Sequence, residues 1–274
     1  MIFKQVNLKF KPVNPWSDIL IAYLADSDYD SFEETENGLK AFVQTDRFSE
    51  EKLNQVLSDL GVEVKYEVQN LKQENWNAKW ESNFKPVIID DRCGIRASFH
   101  PPLDVKHEVV ITPKMSFGTG HHSTTFGMMK TMMDLDFNNK KVLDMGCGTA
   151  VLAILASMLK AKEILAIDID EWAYTNSLEN IQINDVNNIK VLQGGSELIK
   201  ESFAIILANI NRNVLLCDMG VYSKALAKNG DILLSGFYTE DLTLITEKSN
   251  ECGLSLISST HHNNWVTARF QKTH

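Results

Sequence analysis

Hydrophobic and polar positions along the chain change period several times, and each change marks an element. Residues 2–10, IFKQVNLKF, alternate apolar and polar side chains, the two-residue period of a half-buried strand. Residues 14–26, NPWSDILIAYLAD, switch to helical spacing, with Asn14 as the candidate cap and Pro15 behind it. In SFEETENGLKAFVQT (31–45), Asn37-Gly38 separates two strand-like runs, a hairpin signal. SEEKLNQVLSDLG (49–61) opens on Ser49, carries early acids and ends at Gly61, as a capped helix does. VEVKYEVQ (62–69) alternates once more. The order βαββαβ predicts a small ferredoxin-like α+β domain over residues 1–70.

The period changes again over LKQENWNAKWESNFK (71–85), where Trp76 and Trp80 stand four apart on one face of a predicted helix. We assign 71–90 to this linker helix and the start of the next region, and 91–274 to a second domain. Short strands are predicted at PVIID, GIRAS and HEVVITP. Strands then alternate with helices, the pattern of a parallel sheet covered on both faces. The last nineteen of residues 1–272, LSLISSTHHNNWVTARFQK, form two strands about a polar turn, a terminal hairpin.

Composition narrows the class. The 274 residues are 44% hydrophobic and 23% charged, which suits globular domains with full cores. No apolar run reaches the roughly 18 residues of a membrane span. Cys93, Cys147, Cys217 and Cys252 lie far apart with no CxxC pair, which indicates reduced thiols in a cytoplasmic protein. The net charge of −9 argues against direct nucleic-acid binding, which needs bases to neutralise phosphates. Residues 1–60 hold 11 acids against 6 bases, so more than half of the excess sits in the first domain. That is either a solvated face or a docking surface for a basic partner.

The chemistry concentrates in KKVLDMGCGTAVLAILASMLKAKEILAIDID, residues 140–170. Gly146 and Gly148 make a tight turn between a buried strand and a helix, letting a ligand approach the backbone and free N–H groups. Asp168 ends the next strand, where its carboxylate can accept both ribose hydroxyls of an adenosine. The line Asp144-x-Gly146-x-Gly148-x-Ala150 fails the dinucleotide spacing, and Asp144 would repel a pyrophosphate while suiting a cationic methionine head group. It resembles motif I of the class I S-adenosylmethionine methyltransferases, whose sheet ends in an antiparallel hairpin. Downstream, AIILANINRNVL is an apolar strand ending in Asn209. Asn209 is either a helix cap or the residue that holds an acceptor nitrogen. In methyltransferases that act on planar amino groups a stacking aromatic ring usually follows this Asn; none follows here, so the resemblance implies an aliphatic amine over a planar one.

The chain is similar over most of its length to the PrmA family, the methyltransferases of large-subunit ribosomal protein eleven. The segments that carry this are WNAKWESNFKPV, ITPKMSFGTGHHSTT, VLDMGCGTAVLAI, AIDID, LANI and LLSG, in order. The resemblance implies a Rossmann-like catalytic sheet and S-adenosyl-L-methionine as cofactor. It also implies transfer of methyl groups to lysine side chains and the N-terminal amine of that basic ribosomal protein by a monomeric enzyme. By the same resemblance Thr125, Gly146, Asp168 and Asn209 contact the cofactor, Asn209 being the catalytic residue. Asp144, Gly148, Phe117 and Gly118 complete the cofactor site, with no metal. FGTGHHSTT (117–125) then reads as a lid hinged at Gly118 and Gly120, with Ser123 or Thr124 capping a helix that starts near Thr125. Three positions depart from the family pattern. GTGHHSTT replaces GTGTHPTT, Ala150 replaces the third motif I glycine in a place expected to serve only helix packing, and NINR replaces NILA. The alternative activity is methyl transfer to another protein or to a nucleic acid.

Overall fold

The computed structural model describes residues 3–70, 84–114 and 117–273. The chain divides into two compact units, Met1–Asn83 and Phe84–His274. Trp76, Trp80 and the helix expected around them lie outside the described residues.

In the first unit, β1 (Phe3–Lys9), β2 (Tyr29–Thr35), β3 (Gly38–Gln44) and β4 (Lys65–Asn70) form one antiparallel sheet in the order β2-β3-β1-β4. With α1 (Trp16–Ala25) and α2 (Glu50–Leu60), this is the expected ferredoxin-like order. Alternation decides which face is covered: Val6 and Leu8 of β1 and Leu39, Ala41 and Val43 of β3 meet Leu20, Leu24 and Leu53 of the helices. Helix α2 starts and stops as its sequence indicates, Ser49 accepting from the Lys52 N–H at 3.3 Å and Gly61 closing it at φ 62°. Two details differ from expectation. Helix α1 is headed by Pro15 with no side-chain cap, so Asn14 does not serve. The hairpin turn is Glu36-Asn37, and Gly38 already belongs to β3.

The second unit carries a seven-stranded sheet in the order β10-β9-β8-β11-β12-β14-β13. The strands are β8 (Lys141–Met145), β9 (Glu163–Asp168), β10 (Ile189–Gln193), β11 (Phe203–Asn209), β12 (Leu226–Tyr238), β13 (Leu254–His262) and β14 (Trp265–Lys272). The first five run parallel, and β14 inserts antiparallel between β12 and β13. Asn263 and Asn264 make the terminal turn at φ 47° and 66°, a backbone that asparagine tolerates better than most residues. Successive residues of one strand enter opposite cores: Val142 packs with α3 (Ser123–Met132) and α4 (Val151–Met158), Leu143 with α6 (Arg212–Ala225) and α7 (Leu242–Glu251). Helix α5 (Glu171–Ile183) follows β9. A smaller sheet, β5 (Val87–Ile89), β6 (Cys93–Ala97) and β7 (His107–Ile111), ends at β7, which among the described residues pairs with β6 alone. Among the described residues no helix is long and apolar enough to cross a membrane.

Gly38 is the backbone constraint of the first unit, because a Cβ there would overlap the Leu8 carbonyl oxygen. Gly38→Ala forces β1 and β3 apart, at about 1–3 kcal/mol. Faster hydrogen exchange of β1 and β3 amides, with β8 amides unchanged, is the expected result.

Candidate active site

The carboxyl ends of β8, β9 and β11 lie side by side, and each contributes one functional group. After β8 the chain turns so tightly that the Gly146 and Cys147 N–H groups both donate to the Ile167 carbonyl, at 2.8 and 3.1 Å. Gly148 then donates to Asp168 Oδ2 at 2.8 Å, and Asp170 N–H donates to Asp168 Oδ1 at 3.0 Å. One backbone donor on each oxygen fixes the carboxylate and leaves lone pairs for further hydroxyl donors. Gly146 and Gly148 take φ of 70° and 55°, and Ala150 follows at 61°. The expectation that position 150 serves only helix packing is therefore corrected: it holds a left-handed backbone that disfavours any Cβ.

Ala150 heads α4 without a capping side chain, and Asp144 supplies one from the strand behind, Oδ2 accepting from the Ala153 N–H at 3.0 Å. A carboxylate suits a helix N-terminus. Asp144 is nonetheless fully buried, and that burial pushes its carboxyl up to about 7, with the Asp168 charge adding to it and the Ala153 bond opposing. Its Oδ1 has no hydrogen-bond partner among the described residues.

The loop FGTGHHSTT is laid against this turn. Thr149 donates from N–H to the Phe117 carbonyl at 2.9 Å and from Oγ1 to the Gly118 carbonyl at 2.8 Å. Gly118 and Gly120 have φ of 102° and 90°; a Cβ on the first would meet Thr149 Oγ1, one on the second Ile95. Helix α3 begins at Ser123, and its cap is His122, not Ser123 or Thr124: Nδ1 accepts from the Thr124 N–H at 3.4 Å. His122 also packs between Phe117 and Trp265, and burial holds its imidazole below the ordinary value. His121 turns away, with Nε2 at 2.8 Å from the Lys85 carbonyl.

At the end of β11 the capping role falls to Asn211, whose Oδ1 accepts from Val214 N–H at 3.1 Å. Asn209 is thereby left for another purpose. Its Nδ2 donates to Thr125 Oγ1 at 3.4 Å, and its Oδ1 is buried with no partner among the described residues. Ile210 is wedged between two glycines, since a Cβ on Gly146 would overlap its side chain and one on Gly236 its backbone.

These groups surround a cavity of about 1060 Å³. Of the residues selected from sequence, Phe117, Gly146, Gly148, Asp168 and Asn209 line it. Thr125, Asp144 and Gly118 stand behind the lining, where they orient Asn209, cap α4 and receive Thr149. Sequence reasoning missed Trp265, Ile210 and Gly236 as cavity residues; Ile210 and Gly236 left a signal, as the last letters of LANI and LLSG. A sulfonium nucleoside fits what is present. Glycine backbone makes room for it, the Asp168 carboxylate can accept its ribose hydroxyls, and a buried carboxylate oxygen of Asp144 lacks a cationic or donor partner.

The raised Asp144 carboxyl has a defined pH signature. A buried acid whose folded value exceeds its unfolded one loses stability as pH rises from about 4 to about 7, and no further above. Asp144→Asn is thus expected to melt higher than the parent protein at pH 8, with the gain vanishing near pH 4. The same variant should bind S-adenosyl-L-methionine more than tenfold more weakly at pH 8. Thermal melts across pH, with calorimetric titration, check both.

The ribosomal protein L11 methyltransferase (PrmA) family description matches residues 19–273. The chain is 38% identical to the ribosomal protein L11 methyltransferase of Phocaeicola vulgatus, covering 98% of this chain and 99% of that one. It is 43% identical to that of Porphyromonas gingivalis, covering 92% and 90%. The crystal structure of ribosomal protein L11 methylase from Lactobacillus delbrueckii subsp. bulgaricus shares the fold, with a TM-score of 0.64 at 23% identity over 69% of this chain and 99% of that one. The chain belongs to the ribosomal protein L11 methyltransferase (PrmA) family.

Proposed function

We propose that this chain transfers methyl groups from S-adenosyl-L-methionine to lysine side chains and the N-terminal amine of ribosomal protein L11. The observation that carries this reading is the Asn209 amide at the cavity wall: Thr125 holds its nitrogen, and its buried oxygen, without a partner among the described residues, is the group left to accept from an amine. A bound S-adenosyl-L-methionine supplies a methyl group on a positive sulfur, open to direct in-line displacement. The protein's work is then to align and to desolvate. Alignment of two reactants can supply up to about 7–11 kcal/mol. The amine must first lose its proton, which for a lysine of ordinary pKa about 10.4 costs roughly 4–5 kcal/mol at pH 7. Burial beside a sulfonium lowers that requirement. Asn209 Oδ1 would accept an N–H of the neutral amine and so orient its lone pair, with water taking the proton that the ammonium gives up beforehand.

The first unit supplies recognition in this reading. All 11 acids of residues 1–60 are exposed, matching a basic ribosomal protein by charge. Asn209→Ala is expected to lower kcat on the order of 10²-fold, the scale set by lost alignment. Radiolabel transfer to purified L11 measures it, and near-normal transfer overturns the role given to Asn209. Reversing Asp26, Asp30 and Glu36 to lysine should raise KM for L11 several-fold and leave the affinity for S-adenosyl-L-methionine unchanged. An unaltered KM at low salt would remove the first unit from recognition.

A further inference from the structure

The buried face of α5 is polar. Asn176 and Asn180 are buried and Asn184 follows one turn later, so three amides at a spacing of four meet the free edge of β7 and the residue after it. Asn184 accepts from Val110 N–H at 2.8 Å and donates to Val110 O at 2.6 Å, pairing with that edge as a strand would. Asn180 accepts from Thr112 N–H at 2.8 Å, and Asn176 donates to Thr112 O at 3.3 Å. Lys114 of the same segment pairs with Glu179. The remaining amide hydrogen bond of Asn180 goes elsewhere: Nδ2 donates to Thr149 O at 2.9 Å.

Thr149 is the residue whose N–H and hydroxyl hold the Phe117 and Gly118 carbonyls. One fully buried side chain therefore ties down both Thr112, where the loop over the cavity departs, and the residue that secures the loop farther on. We infer that Asn180 is the positioning residue for the loop at the cavity, setting Thr112 and, through Thr149, residues 117–118 against the motif I turn so that Phe117 reaches the cavity wall. The inference rests on the S-adenosyl-L-methionine reading of that cavity only for its binding readout. Without Asn180, the Thr112 N–H and Thr149 C=O lose their partners and both anchors loosen together. Asn184 is the internal control, for it bonds the same strand, touches Asn180 only at its backbone carbonyl and makes no bond to Thr149.

The test compares Asn180→Asp and Asn180→Ser with Asn184→Ala in the full-length protein. Aspartate can still accept from Thr112 but cannot donate to Thr149. Each variant is assayed below its melting temperature for S-adenosyl-L-methionine affinity by calorimetry. Without cofactor, the rate of tryptic cleavage after Lys114 is followed. Both Asn180 variants should weaken binding tenfold or more and speed that cleavage by a similar factor. Asn184→Ala should lower Tm yet stay within twofold of the parent on both counts. If the Asn180 variants fold poorly, Thr149→Val replaces them: it keeps the branched shape, loses only the hydroxyl bond to Gly118, and should show the same two effects. Equal loss in Asn184→Ala, or parent-like binding and cleavage in Asn180→Asp or Thr149→Val, overturns the assignment. A parent protein that ignores S-adenosyl-L-methionine while cleavage still separates the variants points instead at the cofactor reading.

Discussion

The cofactor end of this protein depends on how closely two stretches of backbone approach, residues 117–118 and residues 148–149. The contact is made of two hydrogen bonds from Thr149 and of the absence of side chains at Gly118 and Gly148. A Cβ on Gly148 would overlap the Phe117 carbonyl oxygen, so the approach admits no other residue there without displacement of the loop. Once it is made, the Gly148 N–H is aimed at Asp168 and Phe117 stands at the cavity wall. Loop, turn and the Asp168 carboxylate are therefore one assembly.

That dependence explains which parts were legible in the sequence. Strand and helix order could be read because burial follows period: Val6 and Leu8 alternate inward, and Ser49 and Gly61 bracket α2 by local chemistry. The terminal hairpin announced itself through Asn263-Asn264 between two alternating runs. Where local chemistry had two candidates of equal merit, the reading slipped by a residue or two. His122 caps α3 although a serine and a threonine follow it, because its ring is also held between Phe117 and Trp265. No local rule counts such a ring contact.

The α5 face was illegible for a deeper reason. Apolar periodicity finds helices that bury hydrocarbon, whereas this one buries amides to satisfy a strand edge that has no neighbouring strand among the described residues. An asparagine at such a position looks like surface until β7 is known to end its sheet. Likewise Asn209 could be read in sequence as a helix cap, and only the fold gives that duty to Asn211 instead. The one that caps α6 accepts its hydrogen bond from Val214, which frees the other to face the cavity.

Asp144 shows what the arrangement costs and why it persists. A carboxyl taken wholly out of water prefers to keep its proton, and a single N–H from Ala153 does not offset that preference. Replacing it by an apolar residue would relieve the burial but strip α4 of its only cap, since Ala150 has no side-chain oxygen to offer. Replacing Ala150 by a capping serine or aspartate would place a larger side chain on a backbone at φ 61°. The left-handed turn thus pushes the capping duty back onto the strand, and the strand can meet it only with a buried acid. A cationic ligand above the turn would resolve the conflict, because a nearby positive charge lowers the carboxyl and turns its burial into attraction. The buried acid and the uncapped helix start then have one source, the geometry of left-handed residues at the alternate positions 146, 148 and 150.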